Sequence, residues 1–184
     1  MAAESNNIPL GSSIIDFNLY NPILNKYQTL NELKGSKGTL VIFLCNHCPY
    51  VIHIIEKLSQ IADEYTNKGI SFIGINPNDI KNYPEDSPEN MIKFAEKYKL
   101  HFPYLYDETQ QIAREYDAAC TPDFYLYNND DKLVYHGRFD ASRPNSGVPI
   151  TGDELRKAMD YVLENKEIDF PQYNSIGCSI KWKS

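Results

Sequence analysis

The chain is poor in cysteine, tryptophan and basic residues, and each shortage excludes something. Four cysteines in 184 residues are too few for a disulfide scaffold, and in a reducing compartment they point instead to redox or catalytic use. Eighteen lysines and arginines stand against 25 acidic residues, a net charge of −7, and no basic run stands clear of acidic neighbours. That balance excludes a nucleic-acid or anionic-membrane surface. No apolar run reaches the length of a membrane span, and Met1 to Pro9 is polar, without the apolar stretch of a secretion signal. The expectation is a cytoplasmic protein whose partners are small molecules or other proteins. Residues 1–9 read as a flexible N-terminus and residues 10–184 as a single domain, because 42% hydrophobic content at this length supports a sizeable core.

Apolar runs alternate with helical patterns, the signature of an α/β sheet sandwich. Ile14 to Leu19 and Gln28 to Leu33 flank Asn21-Pro22 and predict an N-terminal hairpin extension. Thr39 to Leu44 and Ile70 to Asn76 are buried strands. Between them Ile52, Ile55, Leu58, Ile61, Ala62 and Tyr65 recur at helical spacing, closed by Gly69. Ser87-Pro88 opens a helix that buries Met91, Phe94, Ala95 and Tyr98. Tyr104 to Tyr106 is extended, Glu108 to Tyr116 a short helix, and Asp123 to Tyr127 with Leu133 to Gly137 a hairpin. Thr151 to Glu154 has the pattern of a capping box opening a last helix. Asn78 to Asp86 lacks the glycine and terminal glutamate of a calcium loop and reads as a solvated surface loop.

The chemistry concentrates in Leu44-Cys45-Asn46-His47-Cys48-Pro49, where a strand becomes a helix. A cysteine at a helix N-terminus faces unpaired N–H groups and the positive end of the helix dipole, which favour the thiolate. Were Cys45 the N-cap, Pro49 would be the first residue required to donate an N–H back to it, and proline has none. With Cys48 as N-cap, Pro49 falls at the first helical position, where it costs nothing. Cys48 is therefore the expected nucleophile and Cys45 a resolving thiol. His47 and Asn46 lie inside the motif, and a protonated His47 would lower the thiol pKa further. A structural zinc site would need a second ligand pair, which Cys120 and Cys178, singly placed, do not supply.

Phe43 to Tyr50, the segment Thr121-Pro122-Asp123-Phe124, and the terminal Gly177 to Trp182 together resemble a peroxiredoxin-like group of the thioredoxin superfamily, related to alkyl hydroperoxide reductase and thiol-specific antioxidant proteins. The resemblance implies a thioredoxin-like fold with a mixed central sheet and flanking helices. It implies a cis-proline at Pro122 whose turn, with Thr121, offers backbone groups to an extended disulfide substrate. It also implies that Cys120 comes near Cys48, where it is a possible second resolving thiol, although packing is the commoner use of a buried cysteine. Departures from the parent patterns are specific. Val51 stands where thioredoxin has its second cysteine, Cys45 and Val41 replace a threonine or serine and a proline of peroxiredoxins, and Cys120-Thr121-Pro122 occupies the segment expected to hold their arginine.

These readings converge on a thiol-dependent oxidoreductase. Cys48 attacks a disulfide, or less favourably a peroxide, and a small thiol or protein reductant of glutathione or thioredoxin type restores it, with no cofactor. A non-enzymatic redox sensor or binding module on the same scaffold is the alternative. Arg138 and Asp140 either bind substrate or pair with each other. His53, His101 and His136 read as surface or packing residues, Tyr50 as a wall of the site. Cys178 is structural by default, with pairing to the active site the lesser option.

Overall fold

The computed structural model describes residues 2–184. In chain order they form β1 (Ala2–Glu4), β2 (Asn18–Asn21), β3 (Lys26–Thr29), α1 (Leu30–Leu33), β4 (Gly38–Phe43), α2 (Pro49–Thr66) and β5 (Ile70–Asn76). A single 3-10 turn, Pro84–Asp86, leads into α3 (Pro88–Tyr98), followed by β6 (Tyr104–Tyr106), α4 (Gln111–Glu115), β7 (Cys120–Thr121) and β8 (Asp123–Asn128). β9 (Leu133–Gly137), α5 (Asp153–Leu163) and β10 (Ile176–Ser179) complete the set.

Seven strands make one mixed sheet in the order β3-β2-β6-β5-β4-β8-β9. The central strand β4 runs parallel to β5 and antiparallel to β8. Every residue of β4 is buried, which is why it reads as a continuous apolar run rather than an alternating one. Its side chains divide between two cores: Leu40 and Ile42 meet α2, α3 and α5 on one face, while Val41 and Phe43 meet Tyr116, Tyr125 and the N-terminal segment on the other. This is the thioredoxin-like arrangement. A second, three-stranded sheet, β1-β10-β7, lies at the end of β4 where the motif emerges.

Several expectations change. Residues 2–4 of the segment read as a flexible N-terminus are a strand paired with β10, and Ser5 N donates to Ser175 O at 3.0 Å. The N-terminal hairpin exists, but its second arm ends at Thr29, which caps α1 reciprocally with Glu32. Ile52 is exposed, and the buried stripe of α2 instead includes Val51 and Ile54. The short helix covers only Gln111–Glu115. No capping box opens α5. Its N-cap is Gly152 at φ +66°, Glu154 is drawn away into a two-pronged ion pair with Arg138, and Asp140 Oδ2 fixes the preceding turn by accepting from Thr151 N and Gly152 N, both at 2.8 Å. Arg138 and Asp140 therefore pair with these partners and not with each other.

Candidate active site

β4 delivers the motif to the end of the sheet, and Cys48 is the N-cap of α2 with Pro49 at the first helical position, as the proline argument required. Cys45 and Cys48 are both buried. Thr121 faces them: its hydroxyl lies 3.2 Å from Cys45 Sγ and its carbonyl 3.3 Å from Cys48 Sγ. The Thr121-Pro122 bond is cis.

The donors converge on Cys48. Its pKa falls to about 5, chiefly because the Cys45 thiol donates to it, aided by the Cys178 thiol and by the backbone N–H groups of Val51 and Cys178; burial opposes the shift. The Val51 contribution is the helix N-terminus expressed as a hydrogen bond. The neutral thiol can donate to the Thr121 carbonyl, so ionisation exchanges that one bond for several. Cys45 responds in the opposite direction, held well above the usual thiol range by its donation to Cys48 and by burial. Cys45 is thus the proton-bearing partner and Cys48 the thiolate.

His47 does not act on Cys48 as its main partner. Nδ1 sits 2.8 Å from Asp86 Oδ2, the ring stacks on Tyr83 at 5.8 Å, and the Asp86 contact raises its pKa, with the charge on Cys48 a lesser contributor. Asp86 is fully buried. It also accepts from Asn46 N at 2.7 Å and Asn78 Nδ2 at 2.8 Å, while Asn46 donates to Glu85 O and accepts from Tyr104 OH, each at 2.9 Å. The loop expected to be solvated is therefore the buckle that fixes Asn46 and His47. Parallel pairing of β4 with β5 places Phe43 beside Ile75, so the segments following the two strands must meet; that adjacency was the available signal for Asp86.

The C-terminal strand occupies the other side. β10 pairs antiparallel with β7, Cys178 opposite Thr121 and Ser179 opposite Cys120. The β7 edge expected to receive an extended substrate is covered by the chain's own tail. Cys120 is buried near Pro122 O and Ser175 O at 3.8 and 4.0 Å, and burial holds its pKa far above the ordinary thiol range, which suits packing. Cys178, read from the sequence as structural by default with pairing to the active site the lesser option, lies at the site because β10 pairs with β7, a non-local pairing that leaves no periodic trace. His136 is buried against Asp123 at 3.0 Å, and His53 and His101 contact Ser142 and Asp63. Tyr50 and Pro122 do wall a cleft, continued by Ser142 and Arg143.

Cys45, His47 and Asp86 have ligand atoms within 4.8 Å of one another, the one such metal-capable group among the described residues. Three donors fall one short of a closed zinc site, and both Asp86 oxygens already accept hydrogen bonds.

Residues 10–136 match the AhpC/TSA family, more than half of the chain. The chain belongs to the AhpC/TSA family. A crystal structure of an uncharacterized conserved protein from Geobacillus kaustophilus is 51% identical and superimposes with a TM-score of 0.97 over 100% of this chain and 97% of that one. A hypothetical protein from Sinorhizobium meliloti is 43% identical, with a TM-score of 0.96 and 98% of each chain covered. The thiol-disulfide oxidoreductase ResA of Halalkalibacterium halodurans is 27% identical over 57% of this chain, which spans only 55% of that relative's length. The thioredoxin domain of a thiol-disulfide oxidoreductase from Bacteroides vulgatus and the peroxidoxin BcpB from Mycobacterium tuberculosis, 18% and 16% identical over 82% and 86% of this chain and 98% of each of theirs, share the fold alone, each with a TM-score of 0.63.

Proposed function

We propose that this AhpC/TSA-family protein is a thiol-dependent oxidoreductase in which the Cys48 thiolate attacks a disulfide sulfur. The observation that carries the reading is the placement of Cys48: it is the N-cap of α2, its sulfur lies 3.3 Å from Thr121 O, and β10 sets Cys178 opposite that same Thr121, surroundings that lower its pKa to about 5. Such surroundings stabilise the thiolate and give a nucleophile at neutral pH. The similarity to proteins described as thiol-disulfide oxidoreductases supports the same chemistry.

Disulfide exchange is favoured over peroxide reduction, because the groups that lower the Cys48 pKa are cysteines and backbone N–H, with no arginine among them. With the β7 edge covered by β10, the substrate is a small disulfide. A small thiol or a protein dithiol in a cytoplasmic, reducing setting restores the reduced enzyme.

Parallel reactions with a small disulfide and a hydroperoxide, each read by mass spectrometry with a sulfenate-specific reagent present, test this. A mixed disulfide on Cys48 that forms faster than any sulfenic acid is expected. Rapid sulfenate formation with little disulfide uptake would overturn the disulfide reading in favour of a peroxidase. Inertness to both reagents would leave the redox-sensor or binding-module account.

A further inference from the structure

We infer that Cys178 is the resolving cysteine of this site, closing an intramolecular disulfide with Cys48. The inference rests on the proposed role of Cys48 and extends it to a residue at the other end of the chain. β10 is laid along β7 with Cys178 opposite Thr121, and the carbonyl of that same threonine is 3.3 Å from Cys48 Sγ. Cys178 packs against the core that contains Cys48. The approach is unusually close: a Cβ on Gly177 would stand 2.0 Å from Thr121 O, so only glycine lets the strand sit this low.

β10 is also held at both ends. Ser5 N donates to Ser175 O at 3.0 Å before it, and after it Ile180 N donates to Ala119 O at 3.1 Å and Lys181 N to Asn78 Oδ1 at 2.9 Å. The thiol is therefore presented to Cys48 by the folded tail, without a large movement. Cys178 is half-buried whereas Cys45 and Cys48 are buried, so it is the thiol of the three most open to solvent. Cys45 is anchored behind the reacting sulfur by Thr121 and by the locked Asn46.

The steps balance. Cys48 thiolate attacks one sulfur of a substrate disulfide; the substrate S–S bond breaks, one substrate thiolate leaves, and a mixed disulfide remains on Cys48. The departing thiolate takes the Cys178 proton. Cys178 then attacks Cys48 Sγ, the mixed disulfide breaks, and the second substrate thiolate leaves to be protonated by solvent. Two electrons pass from the two protein thiols to the substrate, and a small thiol or protein dithiol returns them. The electrostatics order these steps. While Cys48 is a thiolate, burial and the charge on Cys48 hold the Cys178 pKa up at about 11; once Cys48 is in a mixed disulfide that charge is gone, and Cys178 loses its proton more readily.

The test treats wild type, Cys178→Ser and Cys178→Ala with a small symmetric disulfide, blocks free thiols, and maps unreduced digests by mass spectrometry. Wild type should yield a Cys48–Cys178 linked peptide, and both variants should stop at the Cys48 mixed disulfide, raising its occupancy by about tenfold. Variants that clear the mixed disulfide as fast as wild type, or a Cys45–Cys48 link in wild type, would overturn the role of Cys178 while leaving Cys48 as the nucleophile. Absence of any adduct on Cys48 in all three proteins would overturn the nucleophile assignment and this inference together.

Discussion

At the scale of single residues, the site is governed by which group carries the proton and which the charge. Cys45 supplies the largest stabilisation of the Cys48 thiolate, so Cys45→Ala should raise the Cys48 titration midpoint by about a unit or more, read from the ultraviolet absorbance of the thiolate. Asp86 is fully buried, accepts from Asn46 N and Asn78 Nδ2, and lies 2.8 Å from His47 Nδ1 as its ion-pair partner. Asp86→Ala strands all three, and a cost of about 3–5 kcal/mol in chemical denaturation is expected. The His47 pKa is raised in the folded state by Asp86, so the pair contributes most below the unfolded value of ~6.5 and its contribution fades as pH rises through the raised folded value. The stability advantage of wild type over His47→Gln should shrink between acid and alkaline buffers; an advantage that grows with pH would contradict the assignment. The N-cap position of Cys48 was legible in the sequence because proline constrains helix register through the missing N–H, a local rule. Asp86 and Cys178 were not, since each reaches the site through tertiary pairing.

At the scale of elements, two short pieces of backbone do the positioning. Gly177→Ala would place a methyl group 2.0 Å from Thr121 O, forcing β10 off β7; Cys48 should then react several-fold faster with a small alkylating reagent as its cover lifts. Asp140 fixes the turn leading into α5 by accepting from Thr151 N and Gly152 N, so Asp140→Ala should cost about 1–2 kcal/mol in thermal or chemical unfolding. Most helices and strands were readable because their periodicities and punctuation are local, as with Ser87-Pro88 before α3 and the apolar run of β4. The capping box at Thr151 failed for a non-local reason: Arg138 competes for Glu154. Likewise β1 gave no pattern, since three residues become a strand only by pairing with β10.

At the scale of the whole molecule, the large sheet supplies rigidity and the small one brings the two ends of the chain to the redox motif. β1 covers one edge of β10 while β7 holds the other, so the active-site cover depends on residues far apart in sequence. Removing residues 1–5 should speed amide exchange across Ile176–Ser179 while leaving β4 protected, because β4 lies at the centre of the seven-stranded sheet. The chemistry of the site depends most directly on Cys48 being a thiolate at neutral pH. The decisive measurement is the pH titration of thiolate absorbance in wild type, with Cys48→Ser as the blank. A Cys48-dependent midpoint near 5 is expected from the donors around it, and a midpoint at the ordinary thiol value of ~8.5 or above would contradict the account.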